Sequence, residues 1–258
     1  MVSDEAWNKI FRDYDIENHD FDSGPFELTA DQIKRSCQGF TATRDKEPRI
    51  LCKQDTRSDR PSVFVRKGLF ILPKKNGLYY ILKGEGYVDV PDIQSAIQDY
   101  VSKLDFELES SMVGDSEMQF LDFAYANSLI RTFMNDPSLV LTIRGRKYTP
   151  QFSFRVDSNE LDTESVQTEV DAGYEGKTSI VLIEAKNFSA TNVIIRQLYY
   201  PFRQWSENTS KTVYPVFFEK RVITGENIFY IWQFEFTHIE DYNSIRLVKS
   251  GRYRILTP

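Results

Sequence analysis

Apolar and polar positions alternate with two different periods along this chain, and the changes of period mark out its elements. Near the N-terminus, Leu28-Thr29-Ala30-Asp31-Gln32-Ile33-Lys34 reads as a helix start. Thr29 stands at the N-cap and Gln32 at the third helical position, the spacing of a capping box. Short apolar runs at Ser62–Val65, Gly68–Leu72 and Leu78–Leu82 read as strands, and Asn76-Gly77 between the last two is a hairpin turn signal. Val90 to Glu109 is expected to be a connecting helix. A second helix opens at Ser116, with Gln119 completing a box, and runs to about Met134. It is apolar nearly all round, as a buried helix is, and Asn135-Asp136-Pro137 ends it. Strand patterns follow at 139–143, 151–156, 166–171, 179–185, 212–218 and 228–236. A helix at Asn192–Glu207 interrupts them, with Pro201 expected to kink or restart it. The polar stretch 157–165 reads as a loop, and there are no internal repeats. Strands broken by one helix predict an α/β or α+β fold. The pattern divides the chain into an α+β module over residues 1–105 and a larger domain over 106–258.

Composition changes this picture little, but it narrows the chemistry. At 258 residues, with 41% hydrophobic and 27% charged positions, the chain is long enough to bury a real core. No run approaches the ~18 apolar residues of a membrane span, and the acidic start lacks the basic region of a secretory signal. Only Cys37 and Cys52 are present, without a CxxC pair, so neither a disulfide framework nor a structural zinc site is expected. A cytoplasmic protein is the expectation. His19 and His238 are the sole histidines, too few and too scattered for a His-rich metal site. The net charge of −6 argues against a passive nucleic-acid coat, but a carboxylate cluster that binds Mg²⁺ would itself add negative charge.

The charged ends of one apolar strand carry the candidate chemistry. Ile180-Val181-Leu182-Ile183 reads as a buried central strand from which Glu184-Ala185-Lys186 emerges. Strand alternation puts Glu184 and Lys186 on one face and Ala185 on the other, and likewise pairs Glu169 with Asp171 on the strand before. The turn Ala172–Thr178 allows an antiparallel return that brings Asp171 beside Glu184. Two adjacent carboxylates repel unless a cation lies between them, and Mg²⁺ takes one or two protein carboxylates together with waters and phosphate oxygens. Ala185 is small enough for its carbonyl to serve as a further ligand. Lys186 can orient or deprotonate a water and offset developing charge. Glu117 either adds a third carboxylate or only complements its helix dipole. On the following helix, Arg196, Gln197, Tyr200 and Arg203 form a basic and aromatic face beside a core face of Ile194, Leu198 and Trp205. Lys53, Arg57 and Arg60 lie in a charged loop upstream. Both groups are candidates for phosphate contact. Gly176-Lys177-Thr178 only looks like a phosphate loop, because Asp171 stands where that motif needs glycine. Gly77-Leu78-Tyr79-Tyr80-Ile81 is better read as a hairpin strand than as a GIY-YIG opening.

Thr168–Glu175, then Ile183-Glu184-Ala185-Lys186, then Arg196–Arg203 resemble the catalytic core of the PD-(D/E)XK nuclease superfamily, over roughly residues 110–240, and type II restriction endonucleases within it. Val170 replaces the proline of the motif's name, which leaves the choice between Glu169 and Asp171 open. The resemblance implies a mixed central sheet flanked by helices, Mg²⁺ held by Asp171 and Glu184, Lys186 assisting the nucleophile, and Glu117 as the acidic residue of the preceding helix. It further implies a homodimer cutting palindromic double-stranded DNA to leave 5′-phosphates, a cognate DNA methyltransferase as genetic partner, and a recognition role for residues 1–105. The alternatives are a repair, recombination or transposition nuclease of the same superfamily, or a DNA-binding protein that has lost catalysis.

Overall fold

The computed structural model describes residues 3–258; Met1 and Val2 lie outside the described residues. The elements in chain order are α1 (Asp4–Asp13), β1 (Phe26–Thr29), α2 (Ala30–Ser36), α3 (Pro48–Leu51), α4 (Ser62–Lys67), β2 (Leu69–Lys75), β3 (Leu78–Lys83), β4 (Tyr87–Asp89) and β5 (Gln98–Val101). There follow α5 (Glu117–Ala126), α6 (Leu129–Met134), β6 (Val140–Tyr148), β7 (Phe152–Val156), β8 (Asn159–Thr163), β9 (Gln167–Glu175) and β10 (Ser179–Lys186). The chain ends with β11 (Asn192–Ile194), α7 (Ile195–Ser206), β12 (Thr212–Ile223), β13 (Glu226–Phe236) and β14 (Ile245–Leu256). The fold is mixed α+β, built on a seven-stranded sheet in the order β5-β14-β13-β12-β10-β9-β6 with helices on its faces. The sheet is mixed because β10 pairs parallel with β12 and antiparallel with β9, as the crossover through α7 requires.

β10 is buried on both sides. Ile180 and Leu182 pack with Tyr199 and Tyr200 of α7, while Val181, Ile183 and Ala185 pack with Phe120 and Leu121 of α5 and Ile130 of α6. An unbroken apolar run is what two covered faces demand. Each side chain of this size contributes about 1.5–3 kcal/mol when fully buried.

The N-terminal half has its own core, in which Trp7, Ile10 and Phe11 of α1 pack on Phe64 of α4 and Ile71 of β2. The three-stranded sheet β1-β3-β2 is shared. Ile71 and Ile81 face that core, whereas Phe70, Leu72, Tyr80 and Leu82 face the core built around α7. The two halves are therefore joined through a buried sheet face rather than a flexible linker.

The capping box at Thr29 forms as expected. The Gln32 N–H donates to Thr29 Oγ1 at 3.1 Å and the Thr29 N–H to Gln32 Oε1 at 2.8 Å. The Asn76-Gly77 hairpin is also present, joining β2 to β3 with Gly77 at φ +77°.

Several expectations are corrected. Ser62–Val65 is helical, not extended. Pro61 precedes it and Gly68, at φ +65°, ends it as a left-handed cap, so the flanks and the burial of Val63 and Phe64 override the β-branched pattern. Val90–Glu109 is no helix; it is irregular and contains β5, which pairs with β14. The helix from Ser116 is two helices, because Ser128 turns left-handed at φ +66° beside the buried Asn127. Its capping box is only half made: Ser116 accepts from the Gln119 N–H, but the Gln119 side chain donates to Ser110 and Val113 carbonyls. The polar stretch 157–165 contains β8, whose Leu161 and Thr163 point inward. Residues 192–194 form β11 rather than helix, and α7 runs through Pro201 as one element.

Candidate active site

The candidate site lies where β9 and β10 leave the core. On β10 the alternation holds: Glu184, two residues after Leu182, lies on the α7 side with Lys186 beyond it, while Ala185 is buried with α5. On β9 it does not hold. Gly145 pairs with Val170 and Ile143 with Gly173, so β9 spends three steps where β6 spends two. Val170 accordingly packs on the α7 side and Ala172 on the α5 side, although strict alternation would put them together. This β-bulge falls at Asp171 and re-aims it. Gly173 keeps the neighbouring strand close, since a Cβ there would meet Ile143 Cβ at 2.6 Å. Glu169 and Asp171, expected to share a face, both line the same cleft.

Asp171 Oδ2 accepts the Ala185 N–H at 2.8 Å, which locks the bulge onto β10. Glu184 is 8% exposed. Its Oε1 accepts from the Lys186 ammonium and, at 2.7 Å, from Gln197 Nε2 on α7. Oε2 accepts no hydrogen bond from the described residues. Glu117, the first residue of α5, accepts the Asn187 N–H at 3.3 Å and stands on the same cleft.

The electrostatics are those of a cluster short of positive charge. Burial pushes Glu184 up to about 7, with Lys186 opposing the rise and Asp171 adding to it. Burial also raises Asp171, against the Ala185 N–H and Lys186 and with Glu117 and Glu169. Burial works against the Lys186 ammonium, but Glu184, Glu117 and Asp171 outweigh it and raise its pKa. All three groups favour their protonated forms, so the cluster gains stability from added positive charge. Among the described residues, no three His, Cys, Asp or Glu side chains gather closely enough to hold a metal as they stand. The Asp171–Glu184 pair nevertheless supplies an all-oxygen, two-carboxylate set of the kind Mg²⁺ takes from proteins.

The site opens on a cleft of about 480 Å³. Its walls come from both halves: Asp171, Glu184, Lys186, Glu117, Arg146, Arg196 and Gln197 from one, and Arg49, Lys53, Asp55, Lys75 and Asn76 from the other. Of the expected phosphate-contact residues, Arg196, Gln197 and Lys53 reach this cleft. Arg196 and Lys53 share Asp55, at 3.6 and 3.5 Å.

The face of α7 holding Tyr200 and Arg203 is turned inward. Tyr200 is 1% exposed, touches the cleft only at its edge, and donates from its hydroxyl to the Pro73 carbonyl at 2.9 Å. Arg203, 4% exposed, donates to the Ser153 carbonyl at 2.9 Å, pairs with Glu207 at 3.1 Å and lies over the Phe152 ring. The cause is the β7–β8 hairpin, which covers α7 on the side away from the central sheet. Arg57 and Arg60 are also elsewhere: both guanidinium groups lie over Tyr87, and Arg57 pairs with Asp89 at 2.5 Å. Arg49, Lys75 and Arg146 complete the cleft. Arg49 belongs to the charged loop and Lys75 to the hairpin turn, both visible in the sequence, but nothing local shows that the two meet.

Residues 82–254 match a family described as "Domain of unknown function (DUF6997)". The chain belongs to the DUF6997 family. Residues 4–81 match a second family, "Domain of unknown function (DUF6996)". The DUF6997 segment holds every residue of the carboxylate–lysine cluster, and the DUF6996 segment supplies the Arg49–Lys75 wall. Their boundary falls inside β3, in the sheet that the two cores share. No curated protein and no solved structure matches the chain. Among the described residues no helix is long and apolar enough to cross a membrane.

Proposed function

We propose that this protein is a Mg²⁺-dependent, sequence-specific DNA endonuclease of the restriction type, with a PD-(D/E)XK-like site on a restriction-endonuclease-like core. The supporting observation is the convergence of Asp171, re-aimed by a bulge, with Glu184 and Lys186 on a cleft that is also lined by Arg49, Lys53, Lys75, Arg146 and Arg196. Asp171 and Glu184 would hold the metal, with the Ala185 carbonyl as a further ligand and Glu117 or Glu169 as an extra carboxylate on the same cleft. A Mg²⁺ ion held there would supply a water of lowered pKa and a Lewis acid for the scissile phosphate.

The chain's own groups do the rest. Ala185 fixes one Asp171 oxygen through its N–H, and Gln197 fixes one oxygen of Glu184, so both carboxylates are oriented before substrate arrives. Lys186, whose ammonium form its carboxylate neighbours favour, would orient or deprotonate the attacking water and offset the charge of the phosphorane-like transition state. Water attacking in line would leave a 5′-phosphate. A two-fold homodimer matches a palindromic site, the cytoplasm is its compartment, and a cognate methyltransferase would protect the host's own sites.

Purified protein incubated with plasmid and Mg²⁺ is expected to give discrete bands. Lys186→Ala should remove cleavage while leaving DNA binding intact. A smear would transfer the reading to a repair or recombination nuclease, and no cutting with Mg²⁺ or Mn²⁺ would sink it.

A further inference from the structure

Building on the nuclease reading, we propose that the cleft wall made by Lys75 at the β2–β3 turn, with Arg49 and Lys53, is a grip for the DNA phosphate backbone.

Two of its three charges have no ion-pair partner among the described residues. The side chains of Arg49 and Lys75 are exposed and make no ion pair or hydrogen bond with the described residues. The Lys53 side chain is 70% exposed, and its Asp55 partner is shared with Arg196. In a chain of net charge −6, two cations without an ion-pair partner and a third that shares its partner, on one concave surface, suit an anionic ligand.

The wall is also rigidly mounted on the catalytic half. The Tyr200 hydroxyl donates to the Pro73 carbonyl at 2.9 Å, and the Lys74 carbonyl accepts from Thr163 Oγ1 at 2.8 Å and the Glu164 N–H at 3.0 Å. At the tip, the Gly77 carbonyl accepts the Ala30 N–H at 2.8 Å. Lys74 is tied back to Glu27 at 2.7 Å and lies over the Tyr80 ring, which leaves Lys75 to face the cleft. Tyr200 thus acts on substrate indirectly, as a positioning residue. It leaves the same helix as Gln197, which orients Glu184, so α7 sets the spacing between the grip and the carboxylates.

A phosphodiester chain suits this arrangement. It offers one phosphate to the carboxylate site and others, a fixed repeat away, to the cations. An acidic peptide would gain the cations but bring no phosphate oxygens to share a metal with the Asp171–Glu184 pair.

The test is equilibrium binding of a fluorescent DNA duplex in EDTA, measured from low to moderate salt, with full-length protein carrying Glu184→Gln to prevent cleavage. Adding Arg49→Ala and Lys75→Ala should make the slope of log affinity against log salt shallower by about 2 and weaken binding roughly tenfold. Arg35→Ala, an exposed cation on α2 that does not line the cleft, should change neither. An unchanged slope in the double variant overturns the grip, as does equal competition by poly-glutamate. Plasmid cleavage by the otherwise wild-type chain separates the two readings: a protein that binds through this wall yet never cuts retains the grip and loses the nuclease.

Discussion

Glu184-Ala185-Lys186 on β10 and Glu219-Lys220-Arg221 on β12 lie side by side in parallel register, with Lys186 opposite Glu219. Each is a buried glutamate with a cation two residues on, and each reads alike in the sequence. Their surroundings differ. Glu219 is 0% exposed and satisfied at both oxygens: Oε1 takes the Ala190 N–H at 2.8 Å and Oε2 takes Arg221 Nε at 2.8 Å. Arg221 is itself paired with Asp92 at 3.0 Å and lies over the Tyr230 ring. That pair is closed. Glu184 has a second carboxylate, Asp171, beside it, concentrates its hydrogen bonds on one oxygen, and borders the cleft. A Glu-x-cation element is therefore structural or reactive according to whether a third charge reaches it, and here the bulge in β9 brings that charge.

The largest effect should come from the open pair. Glu184→Gln keeps the shape and the Lys186 and Gln197 contacts but removes the charge. DNA cleavage should fall at least ~10³-fold, about 4 kcal/mol of barrier, with the thermal midpoint unchanged or raised. Cleavage within tenfold of wild type would mean that Glu184 is no more functional than Glu219.

Next in size is the closed pair. Glu219→Ala leaves the half-buried Arg221 guanidinium with Asp92 as its one remaining carboxylate partner and frees the Ala190 N–H in the loop that follows Lys186. Unfolding by urea should show a loss of about 3 kcal/mol. A loss below about 1 kcal/mol would show that Asp92 alone satisfies Arg221 and that the two pairs differ less than their geometry indicates.

Much of this contrast was legible in the sequence and its decisive part was not. The β10 run and the shared side of Glu184 and Lys186 follow from local alternation, and Thr29 and Asn76-Gly77 each fix their turns within four residues. The bulge at Asp171 depends on the register between β9 and β6, a pairing across more than twenty residues that no local pattern encodes. Tyr200 and Arg203 look like a solvent face of an amphipathic helix until the β7–β8 hairpin covers them; β7 was legible as a strand, but β8 hides in a stretch whose polarity reads as loop. β14 is equally hard to see: it lies mostly exposed, and its apolar positions follow no clean alternation. Arg57 and Arg60 carry the charge expected of phosphate contacts, yet Tyr87, Glu85 and Asp89 claim them.

The smallest expected effect separates the pairs by pH. The Glu184 carboxyl is held at about 7 in the folded chain, against about 4.5 in the unfolded one. A raised acid binds its proton more tightly when folded, so its contribution to stability is fully present below about pH 4.5 and is lost as pH rises through 7. The full shift, in which the opposing effect of Lys186 is already included, corresponds to about 3 kcal/mol. In EDTA, urea midpoints of wild type should therefore decline between pH 5 and 7.5, while those of Glu184→Gln stay flatter across the same window. Mg²⁺ should restore the wild-type value at pH 7.5 and leave the variant almost unmoved, because an added cation stabilises the carboxylate that burial disfavours. Equal pH profiles in the two proteins would place the Glu184 charge in an environment as fully compensated as that of Glu219, and the distinction between an open and a closed pair would fail.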